Sequence, residues 1–229
     1  MKKALLALAA VLALVLTASA LGDDFSQGKG AKAAPNWTVL TTGDNGFKRK
    51  PAQAFADGIG FAFGTAPDDT RLFVTTHPGS GMLGDLTGGK TLTATFTITG
   101  TATAFTYRGA GNPAFDGQCG APTPPSVHLY FDGNAPPWTG DFQQWFSPQA
   151  YTLTSLVGNT LTLTVPLDPA YWSNKRGVPA TDLSTYFAAS LADVGAVGFA
   201  FGGGCFAGIG AWPTDGTASF VLKSYSVVS

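Results

Sequence analysis

Fourteen acidic side chains and two histidines, His77 and His128, are the groups from which this 229-residue chain could build acid–base or metal chemistry. Every acidic residue is Asp, and no Glu occurs anywhere. Mechanisms that require a Glu base, or a His-Glu zinc frame, are therefore excluded. The histidines share no metal-ligand spacing. His77-Pro78-Gly79-Ser80-Gly81 sets a Ser near a His, but without the Gly-x-Ser-x-Gly frame of a nucleophile elbow. A Pro/Gly loop accounts for it. His128, between Val127 and Leu129, reads as a residue on the polar face of a strand. Asp132 and Asp141 flank a loop and are the pair an Asp-dependent glycoside hydrolase would use, with carboxyls about 5–10 Å apart. Turn Asp residues more simply bond nearby backbone. Asp23-Asp24 and Asp68-Asp69 are candidate oxygen donors for a structural calcium ion, although no EF-hand spacing occurs. The runs Gly202-Gly203-Gly204 and Gly208-Ile209-Gly210 lie in no strand-to-helix phosphate frame. No cofactor motif is present.

One stretch mixes rings with polar groups. Residues 130–146 carry Tyr130, Phe131, Trp138, Phe142, Trp145 and Phe146, interleaved with Asp132, Asn134, Asp141, Gln143 and Gln144. Its Gly and Pro residues predict a loop over 132–142, and loops run over the surface. Flat rings beside carboxylates and amides suit sugars: rings stack on C–H faces and polar groups bond hydroxyls. On this reading the ligand-binding set is Tyr130, Asp132, Asn134, Trp138, Asp141 and Trp145. Trp172, preceded by Tyr171 and followed by Ser173-Asn174-Lys175-Arg176, joins it. The competing reading is that the same rings fill the core, where Trp and Tyr mostly reside.

The compartment is read from the N-terminus. Lys2 and Lys3 precede an apolar run over 4–16, and Ala18-Ser19-Ala20 has the small-residue form of a cleavage site. This is the order of a secretory signal peptide, residues 1–20. The apolar run is too short for a membrane helix of about 20 residues, and no later stretch approaches that length. The expectation is an exported protein, extracellular or periplasmic, with no transmembrane segment in the mature chain. Removal of Lys2 and Lys3 takes the net charge from −1 to about −3. Nucleic acid, which needs clustered Lys and Arg, is excluded as a partner. In an oxidising compartment Cys119 and Cys205, the only two cysteines, are expected to pair.

Residues 21–35 are small, polar and Gly/Ala-rich and read as a flexible lead-in. The remainder, 36–229, has the length of one large domain. Thr is abundant, and Asp, Gly, Asn and Pro punctuate the chain; this composition favours strands joined by turns. The clearest strand spans 90–99, with Leu92, Ala94, Phe96 and Ile98 on one face and five Thr on the other. A continuation of its ladder over 103–108 is expected past Gly100. Further strands are expected at 37–41, 59–63, 72–76, 127–131, 197–201 and 219–227. Residues 151–156 and 160–165 flank Gly158-Asn159 and predict a hairpin. One short helix is expected over 183–194, capped by Asp182 or Ser184. Ile59-Gly60-Phe61-Ala62-Phe63-Gly64 echoes Val197-Gly198-Phe199-Ala200-Phe201-Gly202, and paired strands of similar character would explain that. The fold class is all-β: an antiparallel β-sandwich of jelly-roll type with one short helix.

Three segments carry a resemblance: Leu83-Gly84-Asp85-Leu86-Thr87-Gly88 leading into the long alternating strand, Gln144-Trp145-Phe146-Ser147, and Pro166-Leu167-Asp168-Pro169-Ala170-Tyr171-Trp172-Ser173. Together, over residues 70–229, they resemble the laminin IV-like and galactose-binding-like jelly-roll domains of exported proteins. The resemblance implies a β-sandwich with an extracellular binding or structural role, and no catalytic residues. Three functions follow as expectations. The first is a non-catalytic domain binding polysaccharide or another extracellular ligand. The second is a structural module meeting a surface protein. The third is an Asp-dependent hydrolase.

Overall fold

A computed structural model describes residues 21–25, 34–43, 46–66, 68–134 and 142–228. The expected signal peptide lies outside them. Strand periodicity decides the architecture. One antiparallel sheet contains β1 (Leu21–Asp24), β4 (Gln53–Phe55), β5 (Gly58–Ala62), β7 (Thr91–Gly100), β12 (Thr160–Pro166) and β16 (Ala218–Val228), in the order β12-β7-β16-β5-β4. β1 pairs Ser224–Val227 of β16, where β5 has left that edge. The second sheet contains β2 (Trp37–Gly43), β3 (Gly46–Pro51), β6 (Asp69–Thr75), β8 (Phe105–Tyr107), β9 (Thr123–Gly133), β10 (Gln144–Phe146), β11 (Tyr151–Thr152), β13 (Ser173–Asn174), β14 (Val194–Gly204) and β15 (Ala211–Pro213). Its spine runs β13-β10-β9-β14-β6. β6 bonds β14 on one side and β2 on the other, and β3 closes the edge beyond β2. The expected β-sandwich with a short helix is what forms.

Period-2 alternation sends one face of each strand into the core. Leu92, Ala94, Phe96 and Ile98 of β7 are fully buried, while its Thr residues form a ladder with those of β12 (Thr95–Thr162 hydroxyls 2.9 Å apart). Phe220 of β16 meets Phe61, Phe73, Phe96, Phe199 and Phe201 at centroid distances of 4.9–5.7 Å. The echoed segments do not pair. They lie in opposite sheets and face one another, with Phe61 and Phe63 each edge-on to Phe201.

Four local expectations are corrected. Part of the lead-in is strand β1: its backbone completes β16, and Phe25 is buried against Trp37. Phe105–Tyr107 does not prolong β7; it pairs β15 in the other sheet. The hairpin over 151–165 does not form. β11 pairs β9, Leu153–Leu156 makes one helical turn (α2) that buries Leu153 and Leu156, and β12 pairs β7. A four-residue turn at Pro113–Asp116 (α1) precedes these in the chain, and the expected helix is Ser184–Ala192 (α3). Neither Asp182 nor Ser184 caps it: the cap position is Leu183, without a side-chain hydrogen bond. Among the described residues no helix is long and apolar enough to cross a membrane.

The expected disulfide is present. Cys119 and Cys205 are bonded, 86 residues apart in sequence. The bridge ties the segment before β9 to the segment that leaves β14.

Candidate functional site

The strand register separates the aromatic residues of 130–146. β10 pairs β9 with Trp145 opposite Phe131 and Phe146 opposite Tyr130. Phe131 points into the core, so Trp145 does too, and it is 0% exposed against Phe187. Trp172 is 2% exposed, packs edge-on to Phe131 and donates its indole N–H to the Pro166 carbonyl (2.8 Å). The expectation that Trp145 and Trp172 offer stacking faces to a ligand is therefore corrected: both are core residues. Tyr130 is on the outer face but is also buried. Its hydroxyl donates to Asp132 (3.1 Å) and receives a bond from the Gln144 side chain. Burial pushes the Tyr130 phenol well above its ordinary value and raises the Asp132 carboxyl. Asn134 is exposed at the end of β9, its amide lying over Gly195. Trp138 and Asp141, and with Asp141 the expected Asp132–Asp141 pair, lie outside the described residues.

The other chemistry-bearing residues have protein partners. His128 Nδ1 donates to the Ser147 carbonyl (2.7 Å), which leaves Nε2 as the acceptor facing the Ser126 hydroxyl (3.3 Å). Ser126 is fully buried, so this pair has no reach to a substrate. Burial lowers the His128 pKa, and the Ser147 bond opposes that only in part. The unfolded chain therefore binds a proton near pH 6.5 that the native state does not yet accept, and stability must fall as the pH drops below that value. Urea unfolding at pH 7 and pH 5 should show this loss, at no more than about 1.4 kcal/mol per pH unit within that window. The loss should be smaller in His128→Gln.

The candidate calcium donors are committed elsewhere. Asp69 is buried and takes Arg108 Nε (2.8 Å) and Nη2 (2.9 Å) as a fork, the geometry that suits a buried carboxylate. Gly210, at φ +111°, passes against that carboxylate, where a Cβ would collide. Asp68 pairs with Lys48 (3.3 Å), and Asp23 accepts from the Trp37 indole (3.3 Å). Among the described residues no three His, Cys or Asp side chains converge as a metal site.

A site does form on the outer face of the second sheet. Next to the Tyr130 column, β14 presents only small residues, Ala196, Gly198, Ala200 and Gly202. These small residues let the chain after β14 fold back: a Cβ on Gly202 would meet Phe206 O, Gly208 N and Ile209 N. That returning segment, with Ala207 and Gly208, walls one side of a cavity of about 250 Å³. Leu40, Leu72 and Phe146 make its floor. No protein-family model matches the chain, and no curated protein matches it in sequence. Function must therefore be read from this geometry.

Among the described residues three cations and one amide line the cavity: Arg49, Arg71, Lys175 and Gln144. Arg71 is aimed there by a β-bulge. Leu40 pairs Leu72 and Thr41 pairs Thr70, which leaves Arg71 as the extra residue of β6. A bulge re-aims a side chain and is a recurrent device beside binding sites. Arg71 Nε donates to the Gly208 carbonyl (2.8 Å), and its guanidinium lies 5.0 Å from the Phe47 ring centre. Phe47 is 68% exposed on edge strand β3 and lines the same cavity. Burial lowers the Arg71 pKa, Asp69 raises it and Arg108 lowers it. A second cavity of about 440 Å³, lined by Gln118, Lys175, Arg176, Cys205 and Phe206, shares Lys175 with the first. Sequence reading missed this site because its parts are scattered over β2, β3, β6, β10 and two loops. The available signal was Phe47-Lys48-Arg49-Lys50, a charge run with a ring in an otherwise sparsely charged chain.

Proposed function

We propose that the mature chain is an exported, non-catalytic binding domain that takes a sugar ring of an extracellular carbohydrate into the cavity on the outer face of its ten-stranded sheet. The observation that carries this is the pairing of an apolar floor with an exposed Phe47 and the bulge-aimed Arg71, held on the two strands that flank β2. Sugar rings need an apolar or aromatic face for their C–H surface and a few convergent polar groups for orientation. Strands hold such groups more precisely than loops do. The volume of about 250 Å³ is below the ~300–1,000 Å³ typical of drug-sized ligand pockets and suits one ring of a longer chain. The N-terminal charge, apolar and small-residue pattern supports export, and the Cys119–Cys205 bridge fits an oxidising compartment.

The test is a glycan array and a polysaccharide pull-down with residues 21–229, beside Phe47→Ala/Arg49→Ala and Trp138→Ala. Phe47 and Arg49 are exposed on an edge strand, so the fold should survive. Binding by the wild type should weaken at least about tenfold in the Phe47/Arg49 variant, roughly 1.4 kcal/mol, and persist in Trp138→Ala. Absence of binding by the folded wild type would bring the surface-protein reading to first place. Loss confined to Trp138→Ala would move the site to the 130–146 stretch.

A further inference from the structure

Resting on the reading of the outer-face cavity as a sugar site, we infer that its ligand is an acidic oligosaccharide of the uronate type, whose carboxylate is held by Arg71 and flanked by Arg49 and Lys175.

Charge distribution is the first argument. The chain is net negative, yet among the described residues the cavity lining holds two Arg and one Lys and no Asp. A cavity lined by one sign of charge with low-dielectric walls concentrates counter-ions and speeds their capture. A neutral sugar asks for carboxylate and amide acceptors for its hydroxyls, and among the described residues Gln144 is the sole neutral polar side chain in this lining.

The second argument is the state of Arg71. Its one hydrogen bond among the described residues uses Nε, on the Gly208 carbonyl. Both terminal nitrogens have no hydrogen-bond partner among the described residues, on a guanidinium that the bulge and the Phe47 ring hold in place. Desolvating a cation disfavours its charged form, and burial is the main influence lowering the Arg71 pKa. A ligand carboxylate would offset that cost. The planar guanidinium fork matches a carboxylate in a way that an ammonium does not.

The third argument is extension. Lys175 borders both cavities, and Arg176 lines the far one. A chain with a carboxylate on successive rings would reach Arg49, Arg71 and Lys175 in the first cavity and Lys175 and Arg176 in the second, while its rings lie against Phe47 and the Leu40–Leu72–Phe146 floor. An isolated small anion would leave that apolar floor without a partner.

The experiment is a titration of the full mature chain with trimers of galacturonate, glucuronate and mannuronate. The galacturonate methyl ester, a neutral hexose trimer and a sulfated neutral trimer serve as matched probes. Proteins are the wild type, Arg71→Gln, Arg71→Lys and Arg49→Ala, each checked for an intact fold by circular dichroism. At least one uronate trimer is expected to bind, and to lose at least tenfold in affinity in Arg71→Gln. Arg49→Ala, on the exposed edge strand, should lose severalfold. Arg71→Lys, which keeps the charge and loses the fork, should fall between wild type and Arg71→Gln. Esterification should cost at least tenfold, and affinity should fall as salt rises. Equal binding of neutral, esterified and uronate trimers, with less than a twofold effect in Arg71→Gln and Arg49→Ala, would overturn the inference and leave the sugar site standing. Preference for the sulfated trimer would overturn the uronate assignment. Binding of none of the probes would sink both the inference and the sugar-site reading.

Discussion

Loss of the Cys119–Cys205 bridge is expected to lower the unfolding free energy of residues 21–229 by about 4–5 kcal/mol. The partners are 86 residues apart, and in the chain-entropy account a closed loop of that length removes a large part of the disorder of the unfolded chain. For a domain of this size the loss corresponds to a fall in melting temperature of roughly 10–15 °C. The variant for this measurement is Cys119→Ser/Cys205→Ser, compared with the oxidised wild type by urea and thermal unfolding. Alkylation of the wild type without reductant should add no mass. A shift below about 1 kcal/mol would contradict the account of the bridge as a stabilising constraint. There is a functional corollary. Cys205 follows β14 directly and opens the returning segment whose Ala207 and Gly208 wall the cavity. Severing the bridge should therefore weaken ligand binding even at temperatures where the sandwich stays folded.

The second large effect is expected at Phe220→Ala, at about 3–5 kcal/mol. Phe220 is fully buried on the central strand of the smaller sheet. It is stacked with Phe61 and Phe96 and edge-on to Phe73, Phe199 and Phe201. Those five rings come from both sheets, so the truncated side chain would leave a cavity that neither sheet can close without moving the other. The measurement is the change in urea midpoint. Phe220→Leu, which preserves most of the volume, should cost appreciably less, because large-to-small penalties grow with the residual cavity. Equal costs for Ala and Leu would mean that ring-on-ring geometry, and not filled volume, holds the sheets together.

The parts of this fold that were legible in the sequence are those whose periodicity is uninterrupted. Residues 91–100 alternate without a break, and the inward set Leu92, Ala94, Phe96 and Ile98 is the buried set. The strand runs beginning near 37, 59 and 218 were legible for the same reason. Short elements were not. β1 and β10 carry too few residues to show a period, and β3 is exposed along its whole length and shows none; each forms on a neighbouring strand's edge. The supposed hairpin at Gly158-Asn159 shows the limit of local turn chemistry. The turn residues are there, yet Tyr151–Thr152 finds its partner in β9 and Thr160–Pro166 in β7. Nothing within ten residues encodes that choice.

The candidate site was less legible than the fold, for a related reason. Aromatic content drew attention to 130–146, but register decides which ring faces water. Gln144 and Phe146 flank Trp145 in β10, so the two neighbours line the outer cavity and Trp145 enters the core. Arg71 reaches the cavity only because a bulge breaks the alternation of β6, and a bulge leaves no mark in the sequence around Thr70 and Leu72. The cations that meet on the outer face come from positions 49, 71 and 175, a proximity created by strand pairing and by the turn that follows β13.

The central claim is that the ligand enters on the outer face of the ten-stranded sheet, at the Phe47–Arg71 cavity. The most direct test is amide chemical-shift mapping of isotope-labelled residues 21–229 while a uronate trimer is titrated in. The account predicts that the largest shifts fall on residues 40, 47–49, 71–72, 144–146 and 207–208, with small changes on β7 and β12 of the opposite sheet. Shifts centred on β7 and β12, or confined to 134–143, would contradict it.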